Sequence, residues 1–449
     1  MKKKRLKSEY CLVAFFVLVI VLFMVTILLR AFTRNVLVER LGIENTFTEA
    51  VFFDYTGENG LRKPVASIDW QNKYPFKSND ETVEQKDDSA INRVDDIAKS
   101  IKSWLNVYTT DQLVGYNSFA NAANRYEKAI GWNFAAYSEY NGVVTLSDGY
   151  LISFTSKKDI TESVDSTAEF AQYLDGANID FMFVVAPTKI SNYDDEEISG
   201  TLDFANQNAD EFIKSQYKAN VDILDLRAAI KNEGLNHREL FYVTDHHWKS
   251  ETGLWAAQQI LQSIADNYGY NTDYALLNPD NFNREVYQNI LLGSEGRKVT
   301  LAKASPEDFA LLYPKFNTDL EFSAPDLEMN ISGDFSIMYD MSQLEEVDYY
   351  NKSPYHTFAY GDRPLLTVKN NNAPNNLKVL FIHDSFGDVV LPFLSLGAEE
   401  VDSLDLRQFT GSVQSYIETT KPDAVVVLYN ADSIGGTVGV THTSLFDFR

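Results

Sequence analysis

Residues 378 to 387 read KVLFIHDSFG. The apolar run Lys378 to Ile382 has the pattern of a short buried strand, and HDSFG is a turn into a helix over 388–396 that contains Pro392. Such a passage puts Ser385 at the carboxyl end of a strand and at a helix N-terminus. Active sites of open α/β sheets gather at that end. Helix N–H groups and the positive potential there suit an oxyanion. Ser385 therefore has the setting a nucleophile needs. The plainer reading is that Asp384 or Ser385 caps the helix.

The flanking sequence repeats the same rhythm. Strand patterns stand at 149–154 (GYLISF), 181–186 (FMFVVA), 221–226 (VDILDL), 401–406 and 424–429 (AVVVLY), with helical patterns at 167–175, 206–219, 227–232, 253–265 and 412–420. Strands alternating with helices predict a three-layer α/β domain with a mostly parallel sheet over 106–449. Residues 270–375, rich in Asn, Asp and Tyr and of irregular periodicity, are expected to be a long insertion of short strands and loops.

A serine hydroxyl needs a base, and the base works best when a carboxylate orients it. FYVTDHHW, 241–248, offers both at a strand end or loop. In an extended segment residues two apart face the same way, so Asp245 and His247 share a face and His246 points away. Trp248 then packs on the imidazole or on a bound sugar. The alternatives are a chance polar loop or a metal site, with His383 as a third imidazole. Two adjacent histidines and one carboxylate make a poor metal triad, so no metal is expected.

Composition narrows the rest. The 449-residue chain has 64 acidic and 39 basic residues, a formal charge of −25, which disfavours nucleic acid as a partner. The single cysteine, Cys11, excludes an intrachain disulfide and, with six histidines, leaves little material for a thiolate zinc site. Cys11 to Leu29 is a 19-residue run without a charge, preceded by Lys2, Lys3, Lys4, Arg5 and Lys7. It is long enough to span a bilayer and lacks a small-residue cleavage motif. The expectation is a cytoplasmic basic tail (1–10), one transmembrane helix (11–30), an acidic juxtamembrane spacer (31–105) and an extracytoplasmic domain.

Asp245-His246-His247-Trp248 and Asp384-Ser385-Phe386 resemble the DHHW family and, beyond it, the SGNH hydrolase-like domains of alginate O-acetyltransferase proteins. The order Asp, His, Ser is permuted relative to ordinary SGNH hydrolases. The resemblance runs from about Gly149 to Tyr429 and includes Phe181 to Lys189. It implies Ser385 as acyl-accepting nucleophile, His247 as base and then acid, and Asp245 as its orienter. It implies acetyl transfer to hydroxyls of an exported or cell-wall polysaccharide, with no cofactor and with acyl groups supplied by an integral membrane O-acyltransferase partner. His383 stands where many relatives have glycine, and either crowds the site or contributes to it. The Ser385 N–H is the firm oxyanion donor; Arg407 and Asn430, at strand ends, are further candidates or plain loop polarity. Tyr339, Tyr349, Tyr350, Tyr355 and Tyr360 are sugar-stacking candidates or scaffold. An acetyl esterase uses the same triad, and a non-catalytic envelope assembly or binding protein needs none of it.

Overall fold

The apolar runs become the strands of one sheet. The computed structural model describes residues 134–135, 143–146, 148–191, 203–435 and 445–449, all within the unit Asn124–Arg449. In chain order the strands are β1 (Phe134–Ala135), β2 (Val143–Thr145), β3 (Leu151–Ile152), β4 (Asp180–Ala186), β5 (Asp222–Asp225), β6 (Phe282–Leu291) and β7 (Glu307–Pro314). There follow β8 (Leu320–Ala324), β9 (Met329–Gly333), β10 (Leu365–Asn370), β11 (Lys378–His383), β12 (Glu400–Leu404) and β13 (Ala424–Asn430). The helices are α1 (Thr161–Ala177), α2 (Ala205–Lys218), α3 (Leu226–Glu233), α4 (Ser250–Tyr268), α5 (Ser294–Lys303), α6 (Leu391–Leu394) and α7 (Val413–Thr420). The tail, anchor and spacer expected before residue 106 lie outside the described residues. Among the described residues no helix is long and apolar enough to cross a membrane.

The main sheet has eight strands in the order β5-β4-β13-β11-β12-β10-β8-β9. Its first five strands pair in parallel. The expectation of a mostly parallel sheet needs correction for the other three. β10 joins β12 antiparallel, β8 joins β10 antiparallel and β9 joins β8 antiparallel, so the sheet is mixed. The antiparallel strands come from 320–370. They leave alternate residues outside the core, as in the pattern BeBiB of β8, and antiparallel strands tolerate one wet face.

The parallel half is buried on both faces. Met182, Val184, Phe381, Val426 and Leu428 pack on one side with Leu254, Ala257, Ile260 and Leu261 of α4. Phe183, Val185, Leu380, Ile382, Val425 and Val427 pack on the other with Phe170 of α1, Phe212 of α2 and Ile417 of α7. This alternation gives three layers, and truncating a fully buried ring such as Phe183 to alanine costs about 3–5 kcal/mol.

Two local expectations change. The helix over 388–396 is the short α6 followed by a 3₁₀ turn, Ser395–Gly397, because Pro392 fits only a first helical turn. Residues 243–247 are bends rather than a strand end, closed by an isolated bridge between Phe241 and Trp248.

Candidate active site

β11 lies between two parallel neighbours and delivers its last residues to the carboxyl edge of the sheet. Asp384 then caps the 3₁₀ turn Ser385–Gly387, its Oδ1 accepting the Phe386 N–H at 3.0 Å. Its Oδ2 accepts the Asn430 N–H at 2.8 Å and the Ser433 hydroxyl at 2.7 Å. The cap is therefore Asp384, and the Ser385 hydroxyl is left for other work. The Ser385 N–H donates to no acceptor among the described residues, so it is available to a developing oxyanion.

Asp245 and His247 reach this turn from a bend. Asp245 Oδ1 accepts the His247 backbone N–H at 3.0 Å, an Asx turn. The same oxygen lies 2.6 Å from His247 Nδ1. A carboxylate only accepts, so Nδ1 carries the proton and Nε2 is left as acceptor. His247 Nε2 lies 2.7 Å from Ser385 Oγ, which donates to it. A continuous hydrogen-bond chain thus joins Asp245, His247 and Ser385, residues 138 apart in sequence at the second link. Burial alone raises the Asp245 carboxyl; the imidazoles of His247 and His246, the His247 hydrogen bond and the Ser294 N–H outweigh it and hold the group well below its ordinary range.

The bend is held by residues from distant segments. Glu307 accepts the Val243 and Thr244 N–H groups at 2.8 and 2.6 Å. The Ser294 N–H, in the first turn of α5, donates to Asp245 Oδ2 at 2.6 Å. That approach requires glycine at 293, where any Cβ would overlap Asp245. Beneath it, buried Lys189 and Glu295 form an ion pair at 2.6 Å, and Lys189 Nζ also donates to the carbonyls of Leu151 and Val243. The Tyr355 ring stacks on His247 with centroids 3.8 Å apart and planes at 9°. Its hydroxyl donates to the Ser385 carbonyl at 3.1 Å. A cleft of about 60 Å³ opens beside His246, Phe386 and Asn430.

Residues 146–293 match the sequence profile of the SGNH hydrolase-like domain of the acetyltransferase AlgX. Over these residues the chain is similar to an SGNH hydrolase-like domain. Its fold is similar to that of PatB1 from Bacillus cereus, at 22% identity and a TM-score of 0.54 over 68% of this chain and 99% of that one. A second PatB1 structure, with a sulfonyl adduct, gives 20% and 0.53 over the same shares. A DHHW family protein from Eubacterium siraeum gives 18% and 0.51, over 67% of this chain and 94% of that one. No curated protein matches the sequence. These likenesses are of fold, and the DHHW tetrapeptide stands at 245–248.

Several residues singled out from sequence occupy other places than expected. His246 does not point away. Its ring lies 3.8 Å from that of His247 and its Nδ1 is 2.7 Å from Ser294 Oγ, because the segment bends instead of extending. Trp248 is fully buried, out of reach of a sugar; its Nε1–H donates to the Phe386 carbonyl at 3.0 Å and latches the bend to the nucleophile turn. His383 is buried behind the turn, where Nδ1–H donates to the Asp384 carbonyl and Nε2 accepts from Ser403, so it contributes neither to the triad nor as a third metal imidazole. Its ring fills the space a side chain at Gly387 would need. Asn430 spends its side-chain N–H on the Pro187 carbonyl at 2.7 Å, and Arg407 is held by Asp405 and Asp362.

Asp245, His246 and His247 place possible ligand atoms within 4.8 Å of one another. Both Asp245 oxygens accept N–H groups, and His246 Nδ1 and His247 Nε2 face serine hydroxyls. Of the tyrosines, Tyr339 is buried and donates to the Leu312 carbonyl, Tyr349 donates to the Asn289 carbonyl, and Tyr360 packs on Phe322. Tyr350 packs half-buried beside Val143 and Val299. The structure gives all of these scaffold contacts. Sequence reading missed Lys189, Gly293, Glu295 and Glu307; a lysine closing a buried strand (FMFVVAPTK) is the one signal that pointed to any of them.

Proposed function

We propose that this protein is an extracytoplasmic O-acetyltransferase acting on hydroxyls of an exported or cell-wall polysaccharide. The observation that supports it is the hydrogen-bond chain Asp245–His247–Ser385 with a free Ser385 N–H beside the nucleophile. Ser385 Oγ attacks the acyl carbonyl as His247 Nε2 takes its proton. The oxyanion meets the Ser385 N–H, and collapse expels the donor's leaving group with the proton from His247. An acceptor hydroxyl then attacks the acyl-enzyme, gives its proton to His247, and the new ester leaves as the proton returns to Ser385 Oγ. Asp245 stays ionised and stabilises the imidazolium. The residues call for no cofactor in these steps. The basic N-terminus and the uncharged run at 11–29 support a single-pass anchor with the domain outside the membrane, positioned to receive acyl groups from an integral membrane O-acyltransferase.

The test uses full-length protein with an activated acetyl ester, with and without oligosaccharide acceptors, followed by intact-protein and peptide mass spectrometry. Acetyl on Ser385, absent in His247→Ala and passed to an acceptor, is the expected result. Acetyl passed only to water identifies an esterase. A folded protein that acquires neither acetyl nor a sulfonyl fluoride adduct at Ser385 overturns the catalytic reading.

A further inference from the structure

Arg297 stands apart from every other arginine among the described residues. Arg227, Arg238, Arg284, Arg363, Arg407 and Arg449 each pair with a carboxylate. With 64 acidic residues in the chain, that is the ordinary outcome for a guanidinium. Arg297 is half-buried, and its side chain pairs with none of the described carboxylates. Its backbone N–H is spent on the Gly293 carbonyl at 2.8 Å, within the helix start.

Its place ties it to the triad from two directions. Arg297 is three residues beyond Ser294 on α5, and residues three apart share a helix face. Ser294 holds Asp245 through its N–H and His246 through its hydroxyl. His356 is exposed, with its ring against Gly361. Desolvation lowers the His356 imidazole, Asp362 opposes this, and the charge of Arg297 lowers it further. His356 follows Tyr355, the ring stacked on His247. Arg297 therefore lies on the Ser294 face of α5, one turn from the group that holds Asp245 and His246.

A guanidinium partly withdrawn from water without a partner is costly, and a planar fork of donors recovers that cost on a carboxylate or phosphate. We infer that Arg297 binds an anionic substituent, carboxylate or phosphate, carried by the acceptor next to the hydroxyl that receives the acyl group. The net charge of −25 then acts as a filter: it repels polyanions from most of the surface, and the one arginine unpaired among the described residues selects a local negative group in register with Ser385. The inference rests on the transferase reading for the meaning of the acceptor, but its test is one of binding.

Full-length Ser385→Ala protein, which cannot turn ligand over, is titrated by calorimetry with an oligogalacturonate, its neutral methyl ester and a glycerol-phosphate oligomer. At least one charged probe binds about tenfold tighter than the neutral ester at low salt, a preference that 0.5 M salt reduces. The stronger of the two charged probes identifies carboxylate or phosphate as the group read. Adding Arg297→Gln abolishes the preference and leaves the neutral ester unaffected, and Arg297→Lys restores part of it. An unchanged preference in Arg297→Gln, equal binding of charged and neutral probes, or no binding of any probe overturns the inference. Acylation of Ser385 by an activated ester is read separately in protein with Ser385 intact, so failure of the enzyme reading is distinguished from failure of this one.

Discussion

The two halves of the candidate site are built by opposite means. The nucleophile half is a continuation of regular structure: β11, buried on both faces, runs into a turn capped by its own Asp384. The base half has no regular structure at 243–247, and polar groups from three distant segments fix it. Glu307 ties the backbone, Ser294 the carboxylate, and Lys189 with Glu295 the floor. The first half is as rigid as the sheet, whereas the second depends on a few individual contacts. Substitutions at the base half should therefore uncouple activity from the sheet's own stability.

The largest effect tests the nucleophile half. Ser385→Ala loses acyl transfer by about a thousandfold or more while its thermal unfolding stays near that of the parent; ester turnover and calorimetry read the two quantities. Normal turnover would remove the catalytic assignment. Next is Lys189→Met, which leaves Glu295 buried and unpaired. Its expected cost is about 3–5 kcal/mol of stability, read by denaturant unfolding. A cost under about 1 kcal/mol would show that the floor of the base half is not held by this pair.

Gly293→Ala sharpens the comparison, since it displaces Asp245 without touching the sheet. About a hundredfold in turnover is expected with cooperative unfolding retained. Trp248→Phe removes one hydrogen bond between the halves and costs about 1 kcal/mol. The pH effect is the smallest. Asp245 has its folded value lowered, so its ionised form stabilises the fold above the ordinary carboxylate value. That contribution is lost as pH falls through the folded value. Asp245→Asn is therefore less stable at neutral pH, and its unfolding temperature declines less steeply below about pH 4.

What could be read from sequence divides along the same line. β4, β11 and β13 are apolar runs long enough to be nothing but buried strands, and from them followed the layers and the position of Ser385. Asp245 and His247 were recognisable as a pair, but the bend that joins them was not. An Asx turn leaves no periodic signal, so an extended segment was expected and His246 was turned the wrong way. Glu307 and Glu295 look like surface acids until the fold brings backbone N–H groups and Lys189 to them. Tyr355, in a stretch of many tyrosines, carries nothing local that sets it against His247. The antiparallel edge was missed because β8, β9 and β10 are short and half polar, which reads as loop.

The strand order carries a consequence for how the molecule is made. β13 and β11 occupy the middle of the sheet, yet they are among its last strands to be synthesised. A chain still emerging at residue 375 has made β4 and β5 at one margin and β8 to β10 at the other, with nothing to join them. Arrival of the final segment closes the gap, completes both cores and brings Ser385 to His247 in one event. A prematurely terminated copy would therefore hold a base without a nucleophile and an unclosed sheet, a ready target for proteolysis.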